Sequence, residues 1–485
     1  MINMLPWSSA GRPTHRFTAM VIAAAMTALG ALVPAAARAE PLNATQQLTF
    51  DIYKQLLEID TTTATGDTGA AADAMAGRLR AAGFPDDDIH VFKPAPHKGN
   101  LVARLHGSGA RKPILLVAHL DVVPAKREDW SVDPFKLVEQ DGYYYGRGSG
   151  DDKYMAASFI ANLIRYRQEG YKPERDIIVA LETDEEILDA DGLGIQWLIK
   201  NHRDLIDAEF ALNEGGGVGL KDGKPIRSSV QTTEKVSLSY QLEVKNHGGH
   251  SSLPTRDNAI YHLAEGLVRL SKFAFPIRFN ETTRAYFEKG AALENAQTAA
   301  DMRAMLADAP DPAALERLSA SPFFNAQLRT TCVATLLEGG HAVNALPQMA
   351  RAQVNCRIMP GEPVDEVKAT LTRVLADDQI ALTQIGQPVI SAPSALNPEI
   401  MAAIGKLSAE FWPGAVVLPI MSSGATDGSY LRNAGIPTYG HSGLAGDISD
   451  VRAHGRDERV LVKSFFEGDE YLYRLVKALA GGGRS

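Results

Sequence analysis

Between residues 46 and 214, short apolar runs of strand character alternate with stretches whose apolar positions recur at helical spacing. Leu101–Leu105, Ile114–Ala118, Ile177–Leu181 and Phe210–Leu212 are runs of the first kind. Gln46–Ile59, Lys153–Gln168 and Leu193–Lys200 are stretches of the second. This β/α alternation predicts an α/β fold, a mixed or parallel sheet covered by helices on both faces. Near Glu234 the texture changes. The segment LSYQLEV alternates like a half-buried strand, and an amphipathic helix follows at Asn258–Phe273. A polar, alanine-rich helical stretch then runs from Glu281 to about Leu318, before two further strands at Thr330–Leu337 and Ala350–Ile358. Strand, helix, strand and strand with a helical excursion predict a small α+β domain, residues 234–358. It would interrupt a larger domain whose parts are residues 40–233 and 359–485. After Pro360 the first rhythm returns and ends in a helix at Val460–Leu479.

The first 39 residues follow neither pattern. Arg12 and Arg16 precede an apolar run from about Phe17 to Val33, and Ala37-Arg38-Ala39 precedes Glu40. A positive start, an apolar middle and a small-x-small site read as a cleavable signal peptide, placing the protein in the periplasm or outside the cell. The run is broken by Gly30 and Pro34 and is short for a span of about 20 residues, so no stable membrane anchor is expected. Removing this segment with its three arginines takes the net charge from −9 to −12. So acidic a chain should not bind nucleic acid non-specifically. At 485 residues, 45% apolar and 22% charged, it can form two ordinary cores. Cys332 and Cys356 are the only cysteines and exclude a zinc–thiolate site. Two buried thiols are expected, although export leaves a bridge open.

The chemistry sits where the apolar strands end. His119 and Asp121 are two apart at the end of one, so they share a face, and the carboxylate can hold the second nitrogen of an imidazole that binds metal. Asp151 lies between a glycine-rich turn and a helix start, as a helix cap or as a carboxylate bridging two cations. Glu185 and Glu186 follow another strand and diverge in direction. One can bind metal while the other moves a proton for an attacking water; the competing reading is a solvated acidic loop. Glu214 ends a third strand before Gly215-Gly216-Gly217, a run that lacks dinucleotide spacing because Leu220 stands where the last glycine belongs. His454 sits in a polar turn before the last helix. Functional groups gather at the carboxyl ends of strands in open α/β sheets. Hard oxygens mixed with imidazole suit two Zn²⁺ ions, with Co²⁺ or Mn²⁺ as alternatives.

These residues lie in HLDVVP, GRGSGDDK, TDEE, NEGG, GGHSSLP, NALP, CRIMPGE, SGATDG and AHGRDE. As an ordered set, covering nearly all of the chain after the signal, they resemble the co-catalytic zinc metallopeptidases. That family contains carboxypeptidase S, glutamate carboxypeptidase, aminoacylase, carnosinase, acetylornithine deacetylase and succinyl-diaminopimelate desuccinylase. The resemblance implies that His119 and Glu214 hold one zinc, Glu186 and His454 the other, with Asp151 bridging. It makes Glu185 the general base and later acid, and Asp121 the residue that orients His119. It further implies that His250 meets the oxyanion, and that Asn344 and Arg357 grip the substrate, Arg357 clamping a terminal carboxylate. The inserted domain would be a lid, through which such proteins can also form homodimers.

Two departures stand out: Tyr154 follows DDK where glycine is common, and the helical stretch Glu281–Leu318 is an addition found in the longer carboxypeptidase S-like members. His441 competes with His454 as a ligand, the AHGRDE context favouring His454. The expectation is an exported metal hydrolase that cleaves the amide bond next to a C-terminal amino acid. The alternatives are an N-acyl-amino-acid deacylase with the same centre, or an exported binding protein that keeps the fold without turnover.

Overall fold

A computed structural model describes residues 41–187 and 192–484. The signal-like segment, residues 1–39, lies outside the described residues. The chain opens with α1 (Ala44–Leu57), capped by the Asn43 side chain, and α2 (Thr68–Ala81), capped by Asp67. There follow β1 (Ile89–Ala95), β2 (Lys98–Leu105) and β3 (Ile114–His119), then α3 (Lys153–Gln168), β4 (Ile177–Glu182) and α4 (Ile195–Asn201). The strands β5 (Phe210–Asn213), β6 (Val218–Lys221) and β7 (Lys224–Glu234) lead to a second sheet. That sheet consists of β8 (Val236–Lys245), β9 (Thr331–Gly339), β10 (Met349–Ile358) and β11 (Ala381–Ile385). The chain then returns to the first sheet with β12 (Val416–Ser422), β13 (Thr438–Gly440) and β14 (Ala445–Asp447).

The first sheet has ten strands, ordered β1-β2-β4-β3-β5-β13-β7-β6-β14, with β12 beside β7. It is mixed. The central strands β4, β3, β5 and β13 run parallel, and β1, β2 and β7 pair antiparallel. Every residue of β3 and β4 is buried, as strands covered on both faces require. One face packs on α1–α3 and on the last helix, through residues such as Ile52, Met75, Phe159 and Leu472. The other packs on α4 and the Gly428–Asn433 helix through Leu198, Ile206 and Leu431. Parallel register sets His119 opposite Glu182, so β3 and β4 end at one level, with β5 ending two residues short of it.

The second sheet is antiparallel, ordered β9-β10-β8-β11. Its strands alternate: Leu238, Tyr240 and Leu242 of β8, with Val354 and Cys356 of β10, face a separate core under the helices Ala259–Ser271 and Val364–Leu375. Three details depart from the sequence reading. The fourth strand, β11, carries this sheet past residue 358, because the short polar-alternating ALTQI pairs with β8. The helical stretch after Glu281 buries Tyr286, Phe287, Met302 and Leu318 in a core of its own that includes Leu418 of β12. It therefore rests on the first sheet, not on the second. Cys332 and Cys356 are joined in a disulfide rather than being free thiols, since β9 and β10 pair in the register that sets them opposite each other. Among the described residues no helix is long and apolar enough to cross a membrane.

Candidate metal centre

The centre lies off the carboxyl ends of β3, β4 and β5. His119 is the last residue of β3 and is buried; its Nε2 is 3.0 Å from Asp151 Oδ1. The other carboxylate oxygen of Asp151 faces His454 Nε2 at 3.2 Å, and the same nitrogen lies 3.0 Å from Glu186 Oε2. Asp151 thus presents one oxygen to each histidine. Ligand atoms of His119, Asp151 and Glu186 lie within 4.8 Å of one another, as do those of His119, Glu185 and Glu214. These six residues come from five separate stretches of chain, four of them at strand or helix ends.

Asp121 meets His119 through its main chain more closely than through its carboxylate. His119 Nδ1 is 2.9 Å from the backbone carbonyl of Asp121 and 3.7 Å from its carboxylate. The carboxylate instead accepts the backbone N–H groups of Glu185 at 3.2 Å and Glu186 at 3.1 Å. It orients the pair of glutamates, while its main chain orients the imidazole. The chain reaches those glutamates through Asp184, whose φ of 70° lies in the left-handed region, and Lys98 Nζ holds the Asp184 carboxylate at 2.5 Å.

A residue to which the sequence reading gave no role, Glu458, ties the centre together. Its carboxylate accepts the N–H groups of Gly148, Gly150 and Asp151 and pairs with Arg147 at 2.7 Å. The turn carrying Asp151 is thereby fastened to the segment carrying His454. Only membership in AHGRDE marked Glu458, because its partners stand 308 residues away in sequence. The peptide between Asp151 and Asp152 is cis. Tyr154 is fully buried and packs edge-on against Phe465, so it belongs to the helix packing and does not narrow the centre. His441 is also buried, bonded to Ser228 at 2.8 Å and to the Gly443 N–H. Burial pulls it down to about 4.

The substrate-side residues fall in two places. His250 is exposed and accepts from the Ser252 hydroxyl at 2.7 Å; Asn344 lies next to it, its carbonyl accepting the Ser251 N–H. Among the described residues no hydrogen bond or ion pair joins either of them to the ligand cluster. Arg357 projects from the face of β10 opposite the core and donates to the Ser423 carbonyl at 3.3 Å.

The donor set fits divalent cations. Hard carboxylate oxygens are mixed with imidazole nitrogens, and the acids crowd each other in a way that positive charge would relieve. Burial, with Asp151 adding to it, pushes Glu214 up to about 8 and Glu186 up to about 7. Burial and Glu214 push Glu185 well up. Hydrogen bonding to Asp151 raises His454 to about 9.

A family model described as peptidase family M20/M25/M40 matches residues 115–478. A probable carboxypeptidase S-like 2 of Dictyostelium discoideum is 29% identical over 376 residues, which are 76% of this chain and 71% of that protein. The N-fatty-acyl-amino acid synthase/hydrolase PM20D1 of Xenopus tropicalis is 31% identical over 386 residues, again 76% and 71%. Among solved structures, an M20 family metallo-carboxypeptidase, Sso-CP2 from Sulfolobus solfataricus, superposes with a TM-score of 0.66. The match covers 89% of this chain and 98% of that one at 17% identity, a likeness of fold.

Proposed function

The chain belongs to peptidase family M20/M25/M40 and is a metallopeptidase-type hydrolase, and from that premise we propose that it releases a C-terminal amino acid by hydrolysing the adjoining amide bond. The observation that carries the reading is the convergence of these carboxylates and two histidines on one place. Asp151 and Glu186 are engaged with the histidines, while Glu185 lies beside His119 and Glu214 and, among the described residues, bonds neither histidine. His119 and Glu214 would hold one divalent cation, Glu186 and His454 the other, and Asp151 would serve both, zinc being the metal best suited to the set. Bound there, the cations would polarise the amide carbonyl and lower the pKa of the attacking water so that it gives up a proton readily. Glu185 takes the proton from that water and returns it to the leaving amine. Asp121 fixes where Glu185 stands, through its backbone N–H. Arg357, half-buried on β10, would offer a planar pair of donors to the carboxylate of the departing amino acid.

Deacylation of an N-acyl amino acid is the second reading, favoured by the similarity to a protein named an N-fatty-acyl-amino acid hydrolase. The protein is further read as exported after loss of residues 1–39, with the inserted domain, residues 234–358, acting as a lid that closes over the substrate. A homodimer through the edge strand β9 is supported by its exposed Val333, Leu336 and Leu337. In such a dimer His250 would meet the oxyanion in the partner subunit's site. Amine release by the zinc-loaded protein, from dipeptides paired with N-acyl amino acids of the same C-terminal residue, tests the reading. Preferred cleavage of the dipeptides is expected. Cleavage of the N-acyl compounds alone would replace it with the deacylase reading.

A further inference from the structure

His250 sits on a two-stranded ribbon, Gly249–His250 against Ala345–Leu346, outside both large sheets. The backbone reaches it through Gly248 and Gly249, whose φ values of 70° and 151° suit glycine alone. Such a stretch does not fix its own direction, so the place of His250 depends on what holds the loop. Asn246 does part of this. Its Oδ1 accepts the Gly248 N–H at 3.3 Å, while its Nδ2 donates to Asp257 Oδ1 at 2.7 Å, and one orientation of the amide satisfies both. The same oxygen of Asp257 lies 3.3 Å from His262 Nε2, and His262 Nδ1 lies 2.7 Å from Asp377 Oδ2. Asn246 and Asp257 are thus the two feet of the loop that carries His250, and His262 ties them to rigid structure. It stands in the first turn of the helix Ala259–Ser271, and Asp377 follows the helix Val364–Leu375.

An imidazole with a carboxylate at each nitrogen satisfies both only when both nitrogens carry protons. Asp377 foremost, and Asp257 after it, raise His262 above the ordinary histidine value of 6.5. Gln379 brings its amide nitrogen to 3.2 Å from Nε2, and Arg269 bonds the Leu375 carbonyl and adds positive charge beside Asp377. The sheet beneath the helix presents apolar side chains, such as Leu242 and Val244. A neutral ring has one proton to give. The Asp377 contact is the shorter one and the more sheltered, so that proton stays on Nδ1. Nε2 then carries a lone pair, which accepts from Gln379 and repels the Asp257 carboxylate.

We propose that Asn246, Asp257 and His262 are positioning residues for His250, and that proton loss from His262 releases the loop. The inference rests on the reading of His250 as the group that meets the oxyanion. The contribution of this clip is complete while His262 is charged and is lost as pH rises through its titration.

The test compares zinc-loaded wild type with His262→Gln from about pH 6 to 9, on the better-cleaved of the paired substrates above. At the acid end the variant should be lower in kcat by roughly 2- to 5-fold, the scale of one part-exposed ion pair. That ratio should fall to about one as pH rises through the His262 midpoint, read from its imidazole proton resonance. A ratio of one throughout, or a ratio independent of pH, overturns the proposal. Asp377→Asn serves if the first variant does not fold; it should carry the step in kcat to lower pH, and a step that stays in place refutes the clip. In a His250→Gln background His262→Gln should cost nothing further, and an equal loss there excludes a route through His250. If neither substrate is cleaved, or His250→Gln leaves kcat intact, the reading of His250 fails by itself. Amide exchange, which needs no substrate, then decides the clip. Exchange at Gly248–His250 should be faster in His262→Gln than in wild type near pH 6 and equal near pH 9, and equal rates at both overturn it.

Discussion

Asp469 lies in the middle of the last helix (Val462–Ala480), fully buried against α1 and α3, where burial pushes its carboxyl from the ordinary 3.8 up to about 7. Its oxygens accept from Thr49 Oγ1 at 3.0 Å and Asn162 Nδ2 at 3.2 Å, which offset only part of the desolvation. The folded-state value is raised, and the group is an acid. Below pH 4 both folded and unfolded chains carry the proton, and Asp469 contributes nothing to pH dependence. Between about pH 4 and 7 only the folded chain keeps it, so the unfolded state binds fewer protons and stability falls as pH rises. Above about 7 the cost is complete. A shift of this size corresponds to about 4 kcal/mol.

Asp469→Asn keeps the shape and removes the ionisation. It should match the wild type near pH 4 and become progressively more stable toward pH 8. The gain should approach 4 kcal/mol, or on the order of 4 °C in Tm for a folded part of this length. Thermal unfolding of both proteins at fixed zinc, from pH 4 to 9, reads the difference directly, because contributions of the metal centre are common to both. Parallel Tm–pH curves, or a variant less stable than wild type at pH 8, would refute the reasoning.

Glu185→Gln should lower kcat roughly 100- to 10,000-fold, while elemental analysis still finds the wild-type metal content; loss of metal instead would make Glu185 a ligand. Arg357→Ala should reduce kcat/KM for substrates with a free C-terminal carboxylate by roughly 30- to 150-fold, the loss of about 2–3 kcal/mol from a charged pair of hydrogen bonds. The corresponding C-terminal amides should change far less, and equal losses on both would remove the clamp. Replacing Cys332 and Cys356 with serine opens a link spanning 24 residues. That should cost at most about 3.5 kcal/mol, measured as a lower Tm at constant zinc, and an unchanged Tm would mean that the strand pairing alone holds β9. Metal affinity of the apo protein should rise with pH through about 7 to 8, because Glu186 and Glu214 must shed protons to bind. A titration giving a flat pH profile over that range contradicts this.

Those elements whose signal is local were legible in the sequence. β3 and β4 read as strands because their runs are apolar throughout, and a run buried on both faces has no other explanation at that length. His119, the Glu185–Glu186 pair and Glu214 were legible because each follows such a run, and Asp151 and His454 because of the motifs around them. What escaped depends on pairing at a distance. ALTQI has too few residues to announce a strand, and only β8 beside it makes it one. The cysteines sit in strands either way, and register alone brings them face to face. Asp121 illustrates a finer limit. Its position two residues after His119 is visible, but whether the imidazole meets its carboxylate or its carbonyl depends on the loop after β4, which claims the carboxylate.

The stitch made by Glu458 has a consequence for timing. A growing chain that has reached Glu214 already holds every carboxylate of the centre. It lacks His454, and it lacks the acceptor that fastens the turn of Asp151. Until the last thirty or so residues join the structure, the centre is a loose cluster of acids with a single imidazole. By the proposed assignment the cation that needs His454 would therefore be acquired late, by molecules in which the segment of Glu458 has already met the turn of Asp151.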